Sequence, residues 1–379
     1  MKRLCILLLI WVLAFAPIQV CAAPQEAEAK SAVLMDAATG TVLYEQNAHE
    51  RLAPASVTKV MTLLLIMEAI DSGRIQWGDT VTASEAAAAK GGSQVYLKAG
   101  EAMTVSDMVK SIAVSSANDC ACAMAEHLAG SEEAFVDKMN QRAMELGMED
   151  THFVNCTGLD DSPNASEHLT SAWDIAIMSQ ELLNHHPDIK KYTTIWMDTI
   201  RDGTFGLSNT NKLIRFYPGA TGLKTGFTSA AGYCLSASAA RDGMELIAVV
   251  LGSETSQKRF AACKSLLDYG FANYALVTPE FTTENVSVTL GNQDTITPVP
   301  SRQPQLLIDK SQKASVTAQA EVKKEIQAPV SQGQRLGTLT IRAGNQVLDQ
   351  IPLVAPETVP RLTFLQIWKK VASTIAMAG

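Results

Sequence analysis

The spacing of apolar and polar residues along this chain changes period several times, and each change marks an element. Ser31 to Met35 and Thr41 to Glu45 are short strand-like runs joined by Asp36-Ala37-Ala38-Thr39-Gly40, residues suited to a tight turn, so a hairpin is predicted there. From Val57 to Met67 the chain is apolar nearly all round, the pattern of a helix through the middle of a domain, with Gly73 placed to end it. Thr104-Val105-Ser106-Asp107-Met108 is a capped helix start that continues apolar to Val114. Ser115-Ser116-Ala117-Asn118-Asp119 interrupts the pattern before a second helical run from Cys120 to Leu128, ending near Gly130. An amphipathic helix is predicted over 132–147, a loop over 155–161, and a helix from Thr170 to Leu183 with Thr170 as its cap. Gly219 to Thr228 leads into Gly232 to Ala239, the turn Arg241-Asp242-Gly243-Met244, and a strand from Glu245 to Leu251; strand, Asp-Gly turn, strand signals an antiparallel hairpin. Ser256 to Tyr274 closes the region as a helix.

Strands therefore stand at both ends of the first 275 residues and helices between them. The simplest packing is an α+β fold: one antiparallel sheet built from both ends, with the helical region against it. From Val277 the texture changes. Phe281 to Leu290 alternates with period two, Pro298, Pro300 and Pro304 mark a loop, and Ala314 to Glu325 and Arg335 to Ile341 are strand-like, which predicts a small all-β domain over 277–358. In the last stretch, 359–379, a helix would gather Phe364, Leu365, Trp368, Val371, Ala372 and Ile375 on one side and Thr363, Gln366, Lys370 and Ser373 on the other. It is too short and too charged to span a bilayer. Its Trp and Lys fit a helix lying in a membrane surface, the alternative being a helix docked on its own β-domain.

Composition narrows the setting. The chain has 379 residues, 47% of them hydrophobic, enough for two domains and a large core. A net charge of -8 gives no support for a nucleic-acid partner. Met1-Lys2-Arg3, the apolar run Leu4 to Ile18 and the small residues around Ala22 and Ala23 form a secretory leader over 1–23, so the catalytic region is expected to begin at residue 24 and run to 276. Cys120, Cys122, Cys156, Cys234 and Cys263 remain in the mature chain, an odd and scattered set that reads as small buried hydrophobes rather than a disulfide framework. The six histidines form no metal-binding spacing, and no metal or other cofactor is legible.

The chemistry starts at Ser56-x-x-Lys59. Three apart on a helix, the two side chains are neighbours, and a lysine is costly to bury unless something uses it. A neutral Lys59 amine can take the Ser56 proton, and the positive helix N-terminus favours the alkoxide that forms. The plainer reading is a surface serine beside a lysine whose stem lies on the apolar surface. Two later motifs bear on the choice: Ser116-x-Asn118, and Lys224-Thr225-Gly226.

Ser-x-x-Lys, Ser-x-Asn and Lys-Thr-Gly in this order, in a chain with a leader, resemble the penicillin-recognising serine acyl-transferases. The flanking residues Pro54-Ala55-Ser56-Val57-Thr58-Lys59-Val60-Met61-Thr62, Ser116-Ala117-Asn118-Asp119 and Thr221-Gly222-Leu223-Lys224-Thr225-Gly226 closely resemble the low-molecular-mass D-alanyl-D-alanine carboxypeptidases, and the likeness runs over nearly the whole mature chain, β-domain and tail included. The resemblance implies a β-lactamase/transpeptidase-like fold and an enzyme that removes the terminal D-alanine from peptidoglycan stem peptides, with β-lactam antibiotics as inhibitors. It implies Ser56 as nucleophile, Lys59 as its base and Ser116 as proton relay to the leaving amine, aided by Lys224. Asn118 would hold the substrate amide and orient Lys59. The N–H groups of Ser56 and Phe227 would form the oxyanion hole, and Lys224, Thr225, Gly226 and Arg259 would line the substrate site, Thr225 and Arg259 taking the terminal carboxylate. Lys224 is also expected to lower the pKa of Lys59. The tail would hold the exported enzyme on the outer face of the cytoplasmic membrane.

Two departures stand out. Asn209-Thr210-Asn211 occupies the segment where some relatives carry an arginine, and Phe227 the place of a frequent histidine. A serine β-lactamase shares the three motifs but needs a deacylating glutamate in a Glu-x-x-Leu-Asn pattern, which neither Glu167-His168-Leu169-Thr170-Ser171 nor Glu181-Leu182-Leu183-Asn184-His185 matches. A D,D-endopeptidase shares fold and chemistry and is separated by its products. An inactive wall-binding protein is disfavoured by the intact motifs.

Overall fold

The computed structural model describes residues 26–161 and 163–368. The expected leader and the tail residues 369–379 lie outside the described residues. Five antiparallel strands form the central sheet: β1 (Ser31–Asp36), β2 (Val42–Gln46), β3 (Ala220–Thr228), β4 (Gly232–Arg241) and β5 (Met244–Ser253), in the order β2-β1-β5-β4-β3. The two ends of the region meet where β1 pairs β5, Ser31 opposite Leu251 and Asp36 opposite Leu246. This is the sheet built from both ends that the strand pattern implied.

Alternation along the strands sends side chains to two cores. Ala32, Leu34, Ala248 and Val250 pack with Cys263, Leu266 and Leu267 of the closing helix, Ser256–Asn273. Val33, Met35, Ile247 and Val249 pack with the helical region on the other face. Because both faces are covered, every residue of β1 is buried and the strand reads as an almost unbroken apolar run. The helical region comprises α1 (Lys59–Asp71), α2 (Val105–Ser115), α3 (Asn118–Ala129), α4 (Glu132–Glu145) and α5 (Ala172–His185). Helix α1 is buried from Lys59 through Met67, and full burial of each large apolar side chain, Leu63, Leu64, Ile66 and Met67 among them, contributes about 1.5–3 kcal/mol.

Hydroxyl caps fix the helix starts: Thr104 accepts the Asp107 N–H, Ser131 that of Ala134 and Ser171 that of Asp174. The last corrects the expected cap at Thr170. Thr170 pairs its backbone in both directions with Leu52, which holds it extended and leaves the cap to the next hydroxyl. Two short antiparallel pairs were not legible, Thr80–Thr82 with Ala102–Thr104 and the hairpin Met197–Ile200 with Phe205–Ser208, being too brief to show a period.

Beyond the closing helix, Tyr274–Val277 pairs with Leu306–Asp309. A four-stranded sheet then joins Val316–Val322, Arg335–Ala343, Gln346–Val354 and Val299–Pro300, and a three-stranded one joins Val286–Thr289, Thr295–Ile296 and Glu325–Gln327. The alternating run from Phe281 yields a strand only from Val286 to Thr289. Val286 and Val288 enter the small core with Val330, Leu336 and Val359, whereas Phe281 packs against a separate cluster around Leu339 and Ile351. The backbone is helical over 364–368, and Phe364, Leu365 and Trp368 are exposed rather than docked on the β-domain.

Candidate active site

Ser56 lies on a 3-10 turn, Ala55–Thr58, immediately before α1 rather than inside the α-helix. On such a turn residues three apart eclipse each other, which superposes Ser56 and Lys59 more closely than an α-helix would. Lys59 Nζ is 2.8 Å from Ser56 Oγ. The serine is half-buried and the lysine wholly buried. Burial pushes the Lys59 amine down to about 7, against the opposing pull of Cys156 and Asp119. The other partner of Lys59 is a backbone carbonyl, Thr157 O at 2.7 Å.

Thr157 was not predicted as a site residue. Its turn is made by Asn155, whose Oδ1 accepts the N–H groups of Thr157 (3.1 Å) and Gly158 (2.7 Å), and by Gly158 at φ +79°. Asn-x-x-Gly signals such a turn, but nothing in it announces that a carbonyl will hold the lysine.

Ser116 ends α2 in the left-handed region, φ 63°, and is 3% exposed. A non-glycine residue there costs about 1–3 kcal/mol, and the α2–α3 joint sustains it. Asn118 begins α3; its Nδ2 donates to Gly91 O at 2.7 Å, and its buried Oδ1 has no partner among the described residues. Asn118 thus does not orient Lys59 in this structure, which corrects that expectation: Ser56 and Thr157 do. Next to it, the buried Asp119 carboxylate accepts the N–H groups of Val95, Leu97 and Cys120, pinning the loop beside the site.

The edge strand β3 forms the opposite wall. At Gly226 a Cβ would stand 2.6 Å from Pro54 O and 3.1 Å from Ser56 N, so only glycine lets the strand approach the nucleophile's backbone. Lys224 is buried, donates to Thr225 O at 2.9 Å, and is held well below the ordinary lysine range by burial first, then by Lys59 and Arg259. Burial is the main cause at Lys59 as at Lys224, and the repulsion between the two lysines is mutual, disfavouring charge on both. The Thr225 hydroxyl donates to Thr210 Oγ1 at 2.7 Å, so the segment that lacks the relatives' arginine still touches the site. Arg259 is buried behind β3, with Nη1 donating to Gly226 O (2.9 Å) and Cys234 O (3.2 Å) and Nη2 to Ser256 Oγ (3.2 Å). Its guanidinium spans the strand carbonyls rather than the Thr225 hydroxyl. The Phe227 ring is half-exposed and leans on Tyr233 at 4.3 Å.

The five described cysteines are free and buried, as their scatter implied. Among the described residues, Glu68, Glu181 and His186 come close enough to hold a cation, but Arg142 bridges both carboxylates at 2.7 and 2.6 Å and His186 faces Asp71. A guanidinium already fills that role.

Residues 18–255 match the family model described as D-alanyl-D-alanine carboxypeptidase, and residues 271–361 match that of the penicillin-binding protein 5 C-terminal domain. The chain is 45% identical to D-alanyl-D-alanine carboxypeptidase DacF of Bacillus subtilis (strain 168), over 90% of this chain and 89% of that one. It is 35% identical to DacA of Escherichia coli (strain K12), over 89% and 85%. The crystal structure of penicillin binding protein 5 from Haemophilus influenzae superposes with a TM-score of 0.77 at 31% identity, covering 89% of this chain and 99% of that one.

Proposed function

The chain belongs to the D-alanyl-D-alanine carboxypeptidase family of serine peptidases and is an enzyme of that activity, and from this premise we propose that Ser56, Lys59 and Ser116 carry the reaction. The observation that carries the reading is the 2.8 Å contact between Ser56 Oγ and a buried Lys59 amine poised at about 7. A neutral Lys59 donates one N–H to Thr157 O and presents its lone pair to the Ser56 hydroxyl. Ser56 Oγ attacks the carbonyl between the last two D-alanines of a stem pentapeptide as Lys59 takes its proton. Charge developing on the carbonyl oxygen is met by the Ser56 N–H and by the Phe227 N–H on the edge strand. Ser116, with Lys224, passes a proton to the leaving D-alanine amine, and water then hydrolyses the ester on Ser56. A β-lactam enters by the same attack, its strained amide standing in for the peptide.

Asn118 Oδ1 accepts an amide N–H of the substrate. Thr225 offers its hydroxyl to the terminal carboxylate, and Arg259 contributes positive charge from behind the strand. The exposed Phe364, Leu365 and Trp368 support a tail resting on a membrane surface, and together with the leader they support a location on the outer face of the cytoplasmic membrane; among the described residues no helix is long and apolar enough to cross one. The catalytic region would then be residues 24–276, with the β-domain over 277–358 as a spacer.

The experiment is D-alanine release from a pentapeptide ending in D-Ala-D-Ala, by the parent and by Ser56→Ala. The parent should release one D-alanine per peptide and the variant none. Release by Ser56→Ala at the parental rate would refute the assignment.

A further inference from the structure

Behind the nucleophile runs a chain of hydrogen bonds that the steps above do not use. The peptide unit joining Ala55 to Ser56 carries the Ala55 carbonyl on one side and the Ser56 N–H on the other, and planarity makes them point in opposite directions. Ala55 O accepts from Thr58 Oγ1 at 2.8 Å, Thr58 Oγ1 lies 2.7 Å from His168 Nε2, and His168 Nδ1 accepts the Val154 N–H at 3.1 Å. The partners fix the protons. A backbone N–H can only donate, so Nδ1 carries no hydrogen; Nε2 therefore carries one and donates to the Thr58 oxygen, whose own hydrogen goes to Ala55.

Everything around this relay is built to hold it. Thr58 and His168 are both buried, and the imidazole ring meets Phe153 edge-on, with 5.6 Å between centroids. Burial first, then His152 and Lys59, keeps the imidazole down to about 4, so it is neutral and the direction of the relay is constant at neutral pH. Ala55 adopts φ 48°, a left-handed conformation that a non-glycine residue holds only under constraint. A Cβ on Gly158 would fall 1.9 Å from Ala55 O and 2.7 Å from Thr58 Oγ1, so this loop closes directly over the bond. On the far side of the same peptide unit, the Ser56 nitrogen faces Gly226 of β3.

We propose that His168 and Thr58 are positioning residues that aim the Ser56 N–H at the carbonyl under attack and strengthen it as a donor. The inference rests on the reading of Ser56 as nucleophile. Pulling on the Ala55 carbonyl orients the peptide plane and polarises it, and successive hydrogen bonds in a low-dielectric interior reinforce one another. Since both acylation and hydrolysis of the ester pass through an oxyanion, the pair acts on both steps.

The test compares the full-length parent with Thr58→Val, His168→Phe and His168→Gln, using benzylpenicillin as the probe. Three quantities are read: the acylation rate constant, the infrared band of the ester carbonyl in the acyl-enzyme, and the melting temperature. Direct removal of an oxyanion donor typically costs about 10²–10³-fold in kcat; acting at one remove, Thr58→Val and His168→Phe should acylate about ten-fold more slowly. Their ester carbonyl band should move to higher wavenumber, because a less polarised carbonyl is stiffer. His168→Gln, whose amide N–H reaches the place of Nε2–H, should keep most of the rate and the parental band. A folded Thr58→Val protein with parental rate and band overturns the inference, as do equal losses in His168→Gln and His168→Phe. If His168→Phe does not fold, the nearly isosteric Thr58→Val and the His168→Gln rescue decide it. A parent that forms no acyl-enzyme overturns the Ser56 reading and this inference with it.

Discussion

Among the described residues, an ammonium at Lys59 would sit in the core with only a serine hydroxyl and a backbone carbonyl to solvate it, which is why burial holds its pKa near 7. The sign of the pH dependence follows. Only the neutral amine can take the Ser56 proton, so the acylation rate constant should climb as pH rises through about 7 and fall about ten-fold per unit below it. Penicillin trapping by stopped flow from pH 5 to 9 measures this; a flat profile would argue that Lys59 is not the base. Arg259 makes a second case at this scale. Its contacts to Gly226 O and Cys234 O put it behind the strand proposed to read the carboxylate. Arg259→Ala should cut turnover of a peptide ending in D-Ala-D-Ala by roughly ten- to a hundred-fold, while leaving the poor turnover of the amidated peptide almost unchanged. Equal losses on both would assign Arg259 to the fold alone. The Ser56–Lys59 contact was legible because residues three apart at a helix start are neighbours. Thr157 was not, since it contributes a carbonyl that every residue has.

At the scale of elements, the site is made by three backbones brought unusually close: the 3-10 turn, the edge strand β3 and the loop at Gly158. Gly226→Ala should push β3 off Pro54 and Ser56, and acylation should fall by more than about a hundred-fold, because small displacements of reacting groups carry penalties of that order. Gly158→Ala meets both a direct clash and a positive φ. Strain of about 1–3 kcal/mol from φ alone would lower the melting temperature by roughly 2–12 °C, and calorimetry on the full chain reads it. An unchanged melting temperature and rate for Gly158→Ala would mean that the loop does not press on Ala55. Helices and long strands were readable from periodicity. Contacts between backbones decided what was not: Thr170 lost the cap to Ser171 because Leu52 pairs with it, and the Ser56 turn tightened from α to 3-10. Gln346–Val354 escaped notice because Asp349, Gln350 and Pro352 blur its alternation, although it is the partner of Arg335–Ala343.

For the molecule as a whole, the sheet closed from both ends of the catalytic region was legible, since the strand runs flanked the helices. The arrangement of the β-domain was not, because several of its strands are only two to four residues long and carry little pattern. The exposed Phe364, Leu365 and Trp368 lead to a prediction about the entire chain: ended before Pro360, it should stay in the supernatant with anionic lipid vesicles and keep its activity on small peptides, whereas the full chain should sediment with them. Co-sedimentation of both forms would place the membrane contact elsewhere. Catalysis by Ser56 turns on one covalent bond. Full-length protein should be trapped with benzylpenicillin, digested, and its peptides sequenced by mass spectrometry. A single penicilloyl adduct is expected, on Ser56, formed more slowly below pH 7; an adduct on Ser116 instead, or none on Ser56, would contradict the assignment of the nucleophile.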